Sequence, residues 1–170
     1  MLSKNSYFQP LNHVDALSCL AILAASKAGC RGEVPVGAVL CASSGTLLSE
    51  VGNQVLMTNN PMGHAELRAM TQGAARQFNY RLSGCQLVSS LQPCPMCLGA
   101  MEAARLSQWI FLAEKSTENS QENLPQEKVH GIPCEEDDLT RESLQEECQS
   151  TTFFSQWSVA LLRFFFEQRR

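Results

Sequence analysis

No apolar run in the 170-residue chain is long enough to span a bilayer. The two longest apolar-rich stretches cover residues 16–25 and 153–166, and the second is interrupted by Gln156 and Arg163. A transmembrane helix needs ~20 apolar residues, so no membrane role is expected. The first ten residues hold Lys4 but no apolar core beside it, so no secretory signal is read there and the cytoplasm is the expected compartment. Internal repeats and Gly/Ser-rich linkers are also missing, which leaves a single domain, since domains usually run ~100–200 residues. Basic residues are few: thirteen Lys and Arg against seventeen Asp and Glu give a formal charge of −4. Taken at face value, that argues against nucleic acid, because phosphate contact needs clustered cations. Histidine is scarcer still, with only His13, His64 and His130.

What is present is an apolar fraction of 44%, enough for a packed core. Eight cysteines in a reducing compartment are thiols or metal ligands sooner than disulfides. Six are scattered, and only Cys94 and Cys97 form a close pair. Residues 12–29 place Val14, Leu17, Cys19, Leu20, Leu23 and Ala24 on a helical stripe that Gly29 and Gly32 end. Residues 34–41 and 46–55, joined by a turn at 43–45, read as a β-hairpin. Asn59, Asn60 and Pro61 mark a loop. A helix over 64–76, a strand over 86–91, a helix from Pro95 to Leu106 and a strand over 109–113 follow. Phe153, Phe154, Trp157, Ala160, Leu161, Phe164 and Phe165 predict a last helix over 151–168 with one buried face. Strands alternating with helices indicate an α/β three-layer domain.

One constellation carries chemistry: His64-Ala65-Glu66, then Pro93-Cys94-Pro95-Met96-Cys97. Each motif opens a helix. Two thiolates three residues apart on a first helical turn can face one ion, and an imidazole supplies a third ligand. Three protein ligands leave the fourth position of a zinc ion open to water, as in catalytic rather than structural sites. Zinc brings the pKa of bound water toward ~7. Glu66, two residues from His64, is placed to shuttle a proton without being a ligand. A redox Cys-x-x-Cys would leave His64 and Glu66 unexplained, whereas H-x-E with P-C-x-x-C is the signature of zinc deaminases.

On these residues the chain resembles the cytidine/deoxycytidylate deaminase superfamily. The likeness covers residues 12–113 and includes Glu33-Val34-Pro35-Val36-Gly37-Ala38-Val39, Gly52-Asn53 and His64-Ala65-Glu66-Leu67. Asn79-Tyr80-Arg81-Leu82 and Ala104-Arg105-Leu106 point to its bacterial tRNA-specific adenosine deaminase branch. Pro95-Met96-Cys97-Leu98-Gly99-Ala100 fits guanine deaminases equally. The resemblance implies a cytidine deaminase-like α/β/α fold, with a central mixed sheet of about five strands and helices on both faces. It implies one Zn2+ per chain on His64, Cys94 and Cys97, Glu66 as the catalytic proton shuttle, and a homodimer. It further implies that Asn53 hydrogen-bonds the flipped base, that the N–H groups around Ala65 and Cys94 face it, and that Val36 forms part of the pocket wall.

Three departures stand out. Gln92 occupies the place of a usual Glu, which removes a charge but keeps hydrogen-bonding capacity. Asn60-Pro61-Met62-Gly63 replaces the usual approach to the histidine. Past Ala113 the chain turns acidic, and only residues 137–140 offer themselves as a fifth strand. The expected organisation is a catalytic core over 1–113, an acidic segment over 114–138 and C-terminal helices over 139–170 packed on the core. The lead expectation is deamination of wobble adenosine to inosine in a tRNA anticodon stem-loop. A deaminase of a free nucleobase or nucleoside such as guanine or cytosine is the alternative. An inactive RNA-binding paralogue is the third reading, disfavoured because Glu66 is present. The helix over 95–106, with Met96, Met101 and Ala104, is the candidate dimer face. Residues 114–147 hold eleven acidic and three basic residues, a net −8, so the remainder carries +4 and the acidity no longer argues against RNA.

Overall fold

The computed structural model describes residues 13–114, 130–131 and 148–169. Five strands form one mixed sheet in the order β2-β1-β3-β4-β5. They are β1 Gly37–Cys41, β2 Leu47–Gly52, β3 Gln86–Ser89, β4 Gln108–Phe111 and β5 His130–Gly131. β1 lies antiparallel to both β2 and β3, β3 runs parallel to β4, and β4 is antiparallel to β5. The helices are α1 His13–Cys30, α2 Val55–Thr58, α3 Ala65–Gln77, α4 Pro95–Ala103 and α5 Cys148–Glu167. α4 supplies the crossover that a parallel pair such as β3 and β4 requires.

The period of two along the strands sorts the core into two layers. Ala38, Leu40 and Leu87 join Ala65, Ala69 and Met70 of α3 and Cys97 and Met101 of α4 on one side. Val39, Cys41, Val88 and Ile110 join Val14, Leu17 and Ala21 of α1 and Phe154 of α5 on the other. β1 is buried along its whole length, as a central strand covered on both faces must be. The three-layer α/β/α architecture is therefore built from this alternation.

α1 lies very close to the sheet. A Cβ on Gly37 would sit 2.1 Å from the Ala21 carbonyl oxygen, and one on Gly52 would sit 2.6 Å from that of Ala24. Only small residues fit on the facing side of the helix, which explains a difference from expectation. The buried stripe of α1 runs through Val14, Leu17, Ala21, Ala24, Ala25 and Ala28, while Cys19 and Leu23 point outward. α5 differs similarly: Phe154, Ser155, Ser158 and Phe165 are buried, and Trp157 and Phe164 are exposed. The fifth strand is the two-residue β5 at His130–Gly131. The segment 137–140 lies outside the described residues. α2 falls in the stretch read as strand end and loop, because four residues are too few to show a helical period.

Candidate active site

Both motif halves sit at helix starts. His64 is the N-cap of α3, with an extended backbone, and Glu66 is the second residue of that helix. Cys94 is the N-cap of α4 and Pro95 opens it, where the missing proline N–H leaves no bond unmade. One turn on, Cys97 comes round to the same side as Cys94. β3 ends at Ser89, so the loop carrying Cys94 leaves the carboxyl end of the sheet, where open α/β sheets place ligands.

Sulfur and nitrogen atoms converge. Cys94 Sγ lies 3.6 Å and Cys97 Sγ 3.5 Å from His64 Nδ1, and the two sulfurs are 3.5 Å apart. Ligands at zinc–sulfur and zinc–nitrogen distances of about 2.3 and 2.1 Å in a tetrahedron stand ~3.6–3.8 Å from one another. The donor set therefore fits a zinc ion in chemistry and in spacing. Burial raises the pKa of the Cys97 thiol, and the Glu66 and Cys94 charges raise it further. A thiolate so disfavoured is stabilised by a bound cation. Among the described residues no other three His, Cys, Asp or Glu side chains converge in this way. His13 is elsewhere, with its Nε2 3.7 Å from Cys41 Sγ. Cys19, Cys30, Cys41, Cys85, Cys94 and Cys97 are free thiols.

A cavity of about 250 Å³ opens beside these donors. His64, Glu66 and Cys94 line one side of it. Val34 and Val36, ahead of β1, and Asn53, Val55 and Leu56, after β2, line another, with Leu91 and Gln92 completing the wall. Glu66 is 3% exposed. The Asn53 N–H donates to the Val36 carbonyl at 2.9 Å, so the expected base-binding residue and the expected wall residue are bonded neighbours. Asn53 Oδ1 accepts the Ala65 N–H at 2.8 Å. That bond fixes the amide orientation and leaves the Asn53 NH2 as the donor available to a ligand. The Ala65 N–H is therefore engaged by Asn53, and Ala65 is fully buried.

Val55, Leu56 and Leu91 were not singled out from sequence. Leu91 carried a signal, three residues before Cys94 at a strand end. Val55 and Leu56 carried none beyond their place after Asn53. Gln92 also borders the cavity, with its N–H on the Ala113 carbonyl at 2.8 Å. Of the candidate dimer residues, Met101 is fully buried in the core and is not available to a partner. Met96 and Ala104 remain partly accessible.

The model of the cytidine and deoxycytidylate deaminase zinc-binding region matches residues 12–113. The chain belongs to this family. Its zinc-binding deaminase relatives act on different substrates by name. A tRNA-specific adenosine deaminase of Haemophilus influenzae is 38% identical over 91 residues, which are 54% of this chain and 53% of that protein. A guanine deaminase of Bacillus subtilis is 37% identical over 104 residues, 61% of this chain and 66% of that one. A solved structure from studies of A-to-I editing by tRNA:A34 deaminases superposes with a TM-score of 0.57 at 33% identity, covering 59% of this chain and 72% of that one. The chain spans about half the length of the curated relatives it matches. No helix among the described residues is long and apolar enough to cross a membrane.

Proposed function

We propose that this protein is a zinc-dependent hydrolytic deaminase that converts wobble adenosine to inosine in a tRNA anticodon stem-loop. The observation that carries the reading is the placing of Glu66, His64 and Cys94 on the wall of one small cavity that also offers the Asn53 amide, with Cys97 Sγ 3.5 Å from both His64 Nδ1 and Cys94 Sγ. A cavity of about 250 Å³ is too small for a duplex, so a base carried by RNA has to be turned out of its stack to enter. His64, Cys94 and Cys97 would hold one zinc ion per chain, which when bound makes water a nucleophile at neutral pH. Glu66 accepts a proton from the attacking water and passes it to the ring nitrogen beside the carbon bearing the amine. It then assists departure of the amine as ammonia. Asn53 orients the base through its NH2, and Val36, Val34 and Leu56 exclude water from its faces.

Similarity to tRNA-specific adenosine deaminases supports RNA as the carrier of the base. On this reading residues 1–113 are the catalytic core, 114–138 an acidic attachment and 139–170 the C-terminal part of the same domain, in a cytoplasmic enzyme. We also propose a homodimer. An open groove of about 520 Å³ runs between α3 and α4, lined by Met62, Leu67, Thr71, Tyr80 and Ala104 among others. Light scattering at twice the chain mass supports it, and a strict monomer contradicts it.

A second reading is deamination of free guanine. It is favoured by the similarity to guanine deaminase and by the net −8 of residues 114–147, which repels phosphate. Ammonia release from an anticodon stem-loop, compared with free guanine, cytosine and adenosine, separates the two. Turnover of a free base with none on RNA overturns the lead reading.

A further inference from the structure

We propose that Glu33 is a positioning residue for the reaction: its buried carboxylate grips the start of α2 and thereby fixes the wall against which the base is held. This rests on the reading of the cavity as the base pocket. Glu33 is fully buried, an unusual place for a carboxylate without compensation. Its Oε1 accepts the Met57 N–H at 2.6 Å and its Oε2 the Leu56 N–H at 3.1 Å. These are the second and third N–H groups of α2, which every helix start leaves without an intrahelical partner. Gln54, the N-cap of α2, makes no side-chain cap bond, so the cap comes from Glu33, more than twenty residues earlier in the chain.

The consequence reaches the pocket directly. Leu56 is held by its own N–H and lines the cavity, as does Val55 beside it. Val34, next to Glu33, lines it too. Two further ties act on the same segment. Arg68 of α3 donates to the Gly52 carbonyl, just ahead of Asn53. The Gln54 N–H donates to the Gly63 carbonyl at 2.8 Å, and a Cβ on Gly63 would stand 2.7 Å from the Gln54 carbonyl oxygen. Burial lowers the Arg68 pKa, and the Arg31 charge lowers it further while the Glu33 charge opposes this. Segment 52–57 is thus fastened at Gly52, Gln54, Leu56 and Met57. Only the last two ties depend on Glu33, and they hold the part of the wall formed by Val55 and Leu56.

The test is Glu33→Gln in the full chain with zinc bound. Gln is isosteric, so it opens no cavity, but its NH2 faces one of the two N–H groups and loses that bond. Three quantities are read: amide hydrogen exchange at Leu56 and Met57, zinc per chain, and kcat and KM on the substrate the wild type turns over. The expected result is faster exchange at Leu56 and Met57, unchanged exchange in α3 and one zinc per chain. KM rises about tenfold, as for loss of a charge-assisted hydrogen bond, and kcat stays within about threefold. A merely structural role would lower the melting temperature and leave KM unchanged. Unchanged KM in a folded, active variant overturns the positioning role alone, as does a fall in kcat without a change in KM. Unchanged exchange at Leu56 and Met57 overturns the clamp itself. A zinc-loaded wild type that turns over no nucleobase overturns the reading of function and the positioning role with it.

Discussion

On one side of the cavity His64, Glu66 and Cys94, with Cys97 buried beside them, all come from the first turns of two helices. On the other, Val34, Val36, Asn53, Val55 and Leu56 come from strand flanks and a four-residue helix. The first side takes its geometry from regular structure, since a helix start fixes where residues one turn apart point. The second takes its geometry from hydrogen bonds between distant segments, chiefly Asn53 to Ala65 and Val36, and Glu33 to α2. The metal side is therefore expected to fail all at once when a ligand is removed. The wall side is expected to degrade by steps.

The largest effect expected is from Cys97→Ser. Zinc measured by atomic absorption falls from one per chain to near zero, and turnover falls to background. Stripping the metal with a chelator has the same effect on turnover and lowers the melting temperature, because a ligand bound only by the folded state stabilises it. Retention of zinc by this variant breaks the account of the metal side. Next is Glu66→Gln, expected to reduce kcat by roughly 10²–10⁴ through loss of proton transfer while zinc stays at one per chain.

These two residues were also the most legible in the sequence. The motif is local, and Pro95 announces where the second helix begins. The wall was less legible for a physical reason. Asn53 and Val36 sit on recognisable strand flanks, but Glu33 bonds across more than twenty residues to N–H groups of a helix too short to have a period. The engagement of the Ala65 N–H by Asn53 is likewise a fact of tertiary geometry. Elsewhere, apolarity alone misled. The small face of α1 turns inward because Gly37 and Gly52 bring backbone against backbone, and Leu23 turns out. The sheet edge was set by two residues, His130 and Gly131, which no strand propensity marks.

On the wall side, Asn53→Ala removes both the donor to the base and the acceptor for Ala65, and kcat/KM is expected to fall about 10–100-fold, with zinc retained. Steady-state kinetics with metal analysis checks it, and loss of zinc would show that the two sides are not separable. Gly63→Ala is expected to have the smallest effect. Its Cβ would press on the Gln54 backbone, shift the loop and raise KM a few-fold with kcat little changed. An unchanged KM there shows that the Gly63–Gln54 contact does not set the wall.

On the proposed reading, the cavity holds a single nucleobase for hydrolytic removal of its amine, with Glu66 moving the proton. Zinc-loaded wild type and Glu66→Gln should be incubated in parallel with an anticodon stem-loop carrying adenosine at the wobble position. Inosine is then quantified by mass spectrometry of the digested RNA. Stoichiometric inosine is expected with the wild type and roughly 10²–10⁴-fold slower formation with the variant, both holding one zinc per chain. Inosine formed equally by the two, or by neither, contradicts that reading.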